Sequence, residues 1–322
     1  MMLVRIVKDW DWPDLLRQTP GGKGVWDGIR FTCDPVDESD VLVMLNNRMQ
    51  TDVTARCPRE NVWAIMQEPY VRGFNDWMAE GLESYAKVFS HYVPERTGKF
   101  VVSHPALPWH VNRTFDELVS ADVPEKGKPL SWIVGDVADL PGHFKRLAFL
   151  KRLRQDESIP IDLYGKAVRF IEDKWDGLAP YKYSIAVENS RSTDYWTEKI
   201  ADCMLAWSVP LYDGCLNLEE YFPPGSFIRI DIAKPEKTLA DIQDILKHDS
   251  WDARLPALAE ARRLILQKYQ LFPYLAGLIQ AWAVQGKGSE RIVIPAYRRS
   301  NKVKFFRAMF KLKRMFFRMY YR

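Results

Sequence analysis

The chain has 322 residues, 47% hydrophobic and 27% charged, which are globular proportions that exclude wholesale disorder and suggest two domains or one large one. Its net charge of +4 is unevenly placed: ten basic and no acidic residues fall between Arg298 and Arg322, which leaves the first 297 residues at −6. A mildly acidic body argues against nucleic-acid binding.

The opening MMLVRIVKDWDW lacks a long apolar run, so it reads as a first β-strand over residues 2–7 and not as a signal peptide. Glycines close the next segment, WPDLLRQTPGG, as a loop or short helix. DVLVML (40–45) is a short continuous apolar run, the pattern of a buried parallel strand. ENVWAIMQEP (60–69) gives another strand, residues 74–84 are predicted helical, and YAKVFSHY (85–92) is again a strand. Cys33, Cys57, Cys203 and Cys215 show no CxxC spacing and no paired histidines, so reduced thiols in a cytosolic protein are expected. No stretch reaches the roughly 18–20 apolar residues that would span a bilayer.

VSADVPEKGKPL (119–130) is polar and rich in proline and glycine, a linker candidate. A second strand–helix series follows. Strands are predicted at 130–136, 159–165, 181–190, in VPLYDG and at 226–232. Helices are predicted at 143–155, 195–208, 238–249 and 253–269. Two such α/β halves imply two Rossmann-like domains, residues 1–125 and 126–297, followed by a basic tail at 298–322. In such sheets ligands bind outside the carboxyl ends of strands, which points to the segments after 60–66, 130–136 and 181–187.

The last of these carries the most charge. VENSRSTDYWTEKI sets Asp194, Glu198 and Lys199 at the start of a helix. Asp194 suits the N-cap and Glu198 the first turn, but Lys199 opposes the helix dipole unless an anion lies there. VENSRSTDYWTEKI, then VPLYDG, then FPPGSFIRIDI, resembles over about 45 residues in order the donor motif of the α-1,3-fucosyltransferases, glycosyltransferase family ten, in a bacterial-type form. Val187, Trp196 and Asp213 depart from that pattern without removing a ligand-binding group.

The resemblance implies the GT-B architecture, two Rossmann-like domains facing a cleft, with an acceptor-side first domain and a GDP-sugar-binding second domain. It implies donor-binding roles for Asn189, Tyr195, Glu198 and Lys199, with the glutamate near ribose and sugar hydroxyls and the lysine near the pyrophosphate. Arg146, seven residues before Leu153 in HFKRLAFLKRL, matches the family's arginine helix and would grip the diphosphate. The catalytic base would be Glu68 in IMQEPYVRGF; a carboxylate at the end of an apolar strand would also have a raised pKa. His104 and His110, in SHPALPWH, flank prolines on a loop; they could touch the acceptor, but lone loop histidines read first as surface residues. No metal site is expected: the D-x-D-like WDWPD and DPVD do not follow a nucleotide-binding strand.

In the tail, Arg307, Lys311, Arg314, Arg318 and Arg322 recur at helical spacing, with Phe305, Met309, Leu312, Phe316 and Met319 on the other side. A basic amphipathic helix of this kind suits an anionic membrane surface. The expectation is therefore an inverting fucosyltransferase that uses GDP-fucose without a metal cofactor. It would act on a glycan or lipid-linked glycan at the cytoplasmic face of the cell membrane. The alternatives are the same fold with another GDP-sugar, or a catalytically idle, membrane-associated glycan-binding relative.

Overall fold

The computed structural model describes residues 1–95, 97–166, 168–285 and 288–320, with side chains up to residue 316 in the last helix. Packing divides the chain into two compact units. Unit 1 comprises Met1–Pro108, Arg113–Val119 and Lys268–Lys311; unit 2 comprises Trp109–Asn112, Ser120–Gln267 and Leu312–Arg322.

Unit 1 begins with β1 (Leu3–Val7), β2 (Val25–Trp26), β3 (Ile29–Thr32), β4 (Val41–Leu45), β5 (Val53–Cys57), β6 (Val62–Ile65), β7 (Lys87–Ser90) and β8 (Phe100–Val102). Seven of them form one sheet in the order β2-β3-β1-β4-β6-β7-β8, parallel except for β2 against β3. VLVML and VWAI lie at the centre of this sheet and every residue in them is buried. Burial on both faces is why these strands read as continuous apolar runs. Residues 74–84 do not form the expected helix but only a 3-10 turn, Asp76–Met78. The polar side chains there serve the backbone instead: Asn75 donates to the Pro69 carbonyl at 2.8 Å, and Asp76 accepts from the Gly73 N–H at 2.8 Å. A short helix, α1 (Phe115–Ser120), leads out of the unit.

Unit 2 contains β9 (Lys128–Ile133), α2 (Pro141–Leu153), β10 (Ile161–Tyr164), β11 (Tyr181–Val187), α3 (Glu198–Leu205), β12 (Val209–Asp213), β13 (Ile228–Arg229), α4 (Pro235–Lys247) and α5 (Trp251–Leu264). Its sheet is wholly parallel, in the order β10-β9-β11-β12-β13. Helices α2 and α3 stand between strands, whereas β10–β11 and β12–β13 are joined through 3-10 turns only; β11 sits in the middle, buried along nearly its whole length. Of the predicted strand 226–232 only Ile228–Arg229 pairs.

The chain then passes through a π-helical turn, Ile265–Tyr269, into α6 (Leu271–Trp282), β14 (Glu290–Ile294) and α7 (Asn301–Tyr320). Residues 268–311 pack with unit 1, not with unit 2, which corrects the boundaries expected from sequence. β14 pairs antiparallel with β5, more than 200 residues away along the chain, and Ile292 and Ile294 join the core beside Met44 and Ala64. In α7, Val303 is buried and Phe306 and Phe310 are half-buried, while Phe305, Met309, Leu312 and Phe316 are exposed. The tail is thus a helix with one face packed and an apolar stripe left outward. Arg322 lies outside the described residues, as do the side chains of Arg318 and Met319. All four cysteines are free, and no helix among the described residues is long and apolar enough to cross a membrane.

Candidate donor site

The site in unit 2 is built where β9 and β11 end and α2 and α3 begin. α3 opens on Thr197, whose Oγ1 accepts from the Lys199 N–H at 3.3 Å, so threonine is the N-cap. Asp194, expected in that role, has a positive φ of 60° and accepts instead from Asn217 Nδ2 (2.9 Å) and the Tyr221 hydroxyl (2.6 Å). Thr197 also donates its N–H to Glu188 Oε1 at 2.8 Å and its hydroxyl to Glu188 Oε2 at 2.8 Å. Glu188, a buried carboxylate, is therefore clamped to the helix start. Gly214 makes room for it: a Cβ there would stand 2.4 Å from Glu188 Cγ.

This arrangement resolves the conflict of Lys199 at a helix N-terminus from within the protein. Its ammonium lies 3.2 Å from Glu198 Oε1 and 3.6 Å from Glu188 Oε2. Burial works against its charge, but Glu198 and Glu188 outweigh it and hold the lysine above its ordinary range. Glu198 is the mirror case. Burial would raise its carboxyl, but Lys199, His110 and Lys174 together hold it well below the usual carboxylate range. Burial pushes Glu188 upward, against the pull of Lys199 and Thr197.

A second layer extends the cluster. Lys174 Nζ is 2.9 Å from Asp202 Oδ2 and 3.9 Å from Glu198 Oε1. Asp202, on the second turn of α3 and buried, also accepts from the N–H groups of His110 (2.7 Å) and Val111 (3.3 Å). That contact pins residues 109–112 to α3 and brings the His110 ring within 4.0 Å of Glu198. Burial lowers the pKa of His110.

From the other side comes α2. Arg146 is only 7% exposed; its Nη1 donates to Asn189 Oδ1 at 2.9 Å and its Nη2 to the carbonyls of Gly135 (3.2 Å) and Val137 (3.3 Å). Its Nε has no hydrogen-bond partner among the described residues. Burial depresses its pKa despite Asp136 and Glu188. α2 approaches so closely that a Cβ on Gly142 would stand 2.1 Å from the Asn189 carbonyl oxygen, a contact only glycine permits.

Between these groups lies a cavity of about 670 Å³, lined wholly by unit 2. Of the residues expected at a donor site, Arg146, Asn189, Glu198 and Lys199 line it. Tyr195 does not; it is 2% exposed in the core beside Trp196. Glu68 lies in unit 1, half-buried at the bend after β6 and before Pro69. His110, His143, Lys174 and Asp202 line the cavity without having been singled out as site residues. For His143 a signal existed, since it stands three residues before Arg146 and so shares its helix face. For His110 the only signal was its place beside prolines on a loop, and for Lys174 there was none. Neither loop histidine is the surface residue expected: His104 is buried with Nε2 2.8 Å from the Tyr269 carbonyl, and His110 enters the cavity. Among the described residues no three His, Cys, Asp or Glu side chains gather as a metal-binding cluster.

Two parallel-sheet α/β units, one with a buried arginine and a lysine converging at the carboxyl ends of its strands, define an α/β protein equipped for an anionic ligand. Residues 123–252 match the model of glycosyltransferase family 10 (fucosyltransferase) C-term. The chain is 37% identical over 116 residues to a fucosyltransferase-like protein of Arabidopsis thaliana, covering 35% of this chain and 21% of that one. It is 32% identical over 134 residues to 4-galactosyl-N-acetylglucosaminide 3-alpha-L-fucosyltransferase 9 of Mus musculus, covering 40% and 36%. It is 23% identical over 215 residues to 4-galactosyl-N-acetylglucosaminide 3-alpha-L-fucosyltransferase FUT6 of Homo sapiens, covering 63% and 56%. The matches thus span between about a fifth and just over half of these relatives' own lengths. Among solved structures, an alpha1,3-fucosyltransferase with GDP-fucose aligns with a TM-score of 0.45 at 16% identity, over 81% of this chain and 82% of that one. WaaG, a glycosyltransferase involved in lipopolysaccharide biosynthesis, aligns with a TM-score of 0.44 at 10% identity, over 88% and 100%. Over residues 123–252 the chain is thus similar to the C-terminal part of glycosyltransferase family 10.

Proposed function

We propose that this chain is a GDP-fucose-dependent α-1,3-fucosyltransferase that transfers L-fucose to a hydroxyl of a glycan with inversion at the anomeric carbon. The observation that carries this reading is that two cations, Arg146 and Lys199, line one cavity. Two fixed cations in one cavity, Lys199 at a helix start, suit the negative charge of a diphosphate. The match of the family model to residues 123–252, which hold the cavity's main walls, agrees with it.

On this reading Arg146 and Lys199 bear the charge that collects on the departing GDP, in a low-dielectric pocket where fixed cations act strongly. Their two charges do the work without a metal. Glu198, kept ionised by three basic neighbours, accepts hydrogen bonds from ribose or sugar hydroxyls. Asn189 contacts the same ligand, and Tyr195, buried behind the start of α3, enters the site only if that segment shifts when the donor binds. Glu68 takes the proton of the acceptor hydroxyl as that oxygen attacks opposite the leaving diphosphate. The donor is β-linked, so the product is α-linked.

The reading extends to location. Phe305, Met309, Leu312 and Phe316 form an exposed apolar stripe on α7, flanked by the exposed Lys302, Lys304, Lys311 and Lys313. Such a helix lies in the plane of an anionic bilayer surface. On this reading the enzyme would work at the cytoplasmic face of the cell membrane, as a bacterial-type member acting on a lipid-linked glycan. The test is thermal unfolding with a panel of GDP-sugars, followed by product analysis with the one that stabilises most. Stabilisation by GDP-fucose above GDP-mannose, with fucosyl transfer, is expected. Stabilisation by another GDP-sugar alone identifies a different donor, binding without turnover identifies an idle relative, and indifference to every GDP compound refutes the proposal.

A further inference from the structure

We propose that Phe306 on α7 is a positioning residue for Glu68. With Arg72 and Gly73 it clamps the turn that follows the glutamate, so the first half of α7 is part of the acceptor-side machinery and not a detachable tail. That Glu68 is the base rests on the reading above; the clamp rests on unit 1 alone, which contains both the turn and residues 301–311.

The stretch from Pro69 to Gly81 forms no strand and only one turn of 3-10 helix, Asp76–Met78. A backbone of this kind is ordered by side chains and neighbours, not by a ladder of its own. From within, Asn46 Oδ1 accepts from the Gln67 N–H at 2.8 Å, just before Glu68, and Asn75 Nδ2 donates to the Pro69 carbonyl at 2.8 Å, just after it. Asn75 therefore ties the glutamate's neighbour to the middle of the turn. What holds that middle is α7. The Arg72 guanidinium lies over the Phe306 ring, its Cζ 3.5 Å from the centroid. Phe74 packs against Phe310 with ring centroids 5.5 Å apart. Between these two contacts Gly73 has a φ of 84°, and a Cβ there would stand 2.6 Å from the Phe306 carbonyl oxygen and 3.0 Å from Phe310 Cβ. Only glycine admits the helix backbone at that distance and adopts that φ without strain.

A second contact fixes where α7 starts. The Ser300 hydroxyl accepts from the Val303 N–H at 3.2 Å, as an N-cap does, and donates to Glu80 Oε2 at 3.0 Å. The Tyr297 hydroxyl donates to Glu80 Oε1. Asn47 Nδ2 gathers the same end of the stretch, donating to the carbonyls of Glu80 (3.0 Å) and Gly81 (3.1 Å). The helix is thus attached to the middle and to the end of the segment that follows Glu68. It does so through its inner face, where Val303 is buried and Phe306 and Phe310 are half-buried. A misplacement of about 1 Å at a catalytic group can cost about 10²-fold in rate. The clamp therefore acts on turnover and leaves donor binding, in unit 2, untouched.

The test perturbs the clamp from both sides in the full chain. Phe306→Ala removes the ring under Arg72, and Gly73→Ala drives a methyl group into the Phe306 carbonyl. The N–H groups of Gly73, Phe74, Asn75 and Met78 are hydrogen-bonded within the segment, so hydrogen exchange reports on it directly. In both variants the amides of residues 70–78 should exchange at least about tenfold faster than in the parent, with β4 and β6 unchanged. Turnover, read as GDP release from GDP-fucose with an N-acetylglucosamine glycoside as acceptor, should fall at least about tenfold, while GDP affinity by calorimetry stays within about twofold. Parent-like exchange at 70–78 overturns the proposal. So does an acceleration shared equally by β4 and β6, which is general loss of core stability, and so does full turnover from a loosened segment. Glu68→Gln tests the base reading separately. If that variant turns over like the parent, Glu68 is not the base and its positioning falls with it, while exchange still decides whether the clamp exists. A parent that releases no GDP refutes the transferase reading and again leaves the clamp to the exchange result.

Discussion

Lys199 holds two glutamates, and Lys199→Met tests that arrangement most directly. The ammonium is 3.6 Å from Glu188, whose side chain is fully buried, and 3.2 Å from Glu198. Glu198 keeps Lys174 at 3.9 Å and His110 at 4.0 Å; Glu188 has no second cation in ion-pair range among the described residues. At an effective dielectric near 20, each Lys199 contact is worth about 4–5 kcal/mol before desolvation is subtracted. Removing one partner of a buried pair typically costs about 3–5 kcal/mol, because the survivor is left charged and unpaired. For a unit of this size that is a fall in melting temperature of roughly 6–20 °C. Glu188→Gln in the same chain removes the stranded charge while its amide still accepts from the Thr197 N–H and donates to the Thr197 hydroxyl. The double variant should therefore regain about 2 kcal/mol or more of the loss, a positive coupling in a double-mutant cycle followed by calorimetric melting. GDP affinity should not return with the stability, since the cation is still missing. If Lys199→Met melts within a degree or two of the parent, Glu188 is already protonated and the ion-pair account of the site fails.

Other expectations follow from single contacts. Glu68→Gln should leave GDP affinity unchanged and lower turnover by about 10²–10⁴-fold, and preserved turnover would remove Glu68 from the base role. Gly142→Ala drives a methyl group into the Asn189 carbonyl, so it should cost about 1–3 kcal/mol by chemical denaturation and weaken GDP binding at the same time; an alanine variant equal to the parent in both would contradict the close approach. Lys126 donates to the carbonyls of Ala179 and Ala206, and burial lowers its pKa from 10.5 to about 7. Between these values the unfolded chain holds a proton that the native state lacks, so stability should rise with pH from 7 toward 10.5, by up to about 1.4 kcal/mol per pH unit, and level off below 7. Urea melts at several pH values, compared with Lys126→Met, should show that slope in the parent alone. On the metal-independent reading, added EDTA should leave fucosyl transfer unchanged, and its loss with rescue by a divalent cation would require a metal at the diphosphate.

The sequence by itself carried whatever is local and periodic. The apolar runs VLVML and VWAI announced two-sided burial, the strand–helix alternation announced parallel sheets, and the ENS…TEK segment marked the corner where Glu198 and Lys199 stand. These are legible because side-chain period and helix-start chemistry act over a few residues. Tertiary structure decided the rest. It replaced Asp194 with Thr197 as the cap, because a positive φ and bonds to Asn217 and Tyr221 took Asp194 elsewhere. It brought His110 and Lys174 to Glu198 through Asp202, pairings separated by some 90 and 24 residues of chain. It returned residues 268–311 to unit 1, where β14 pairs with a strand formed more than 200 residues earlier. No local pattern encodes such a meeting, because the free energy that selects it is burial shared between segments, and neither segment carries it alone.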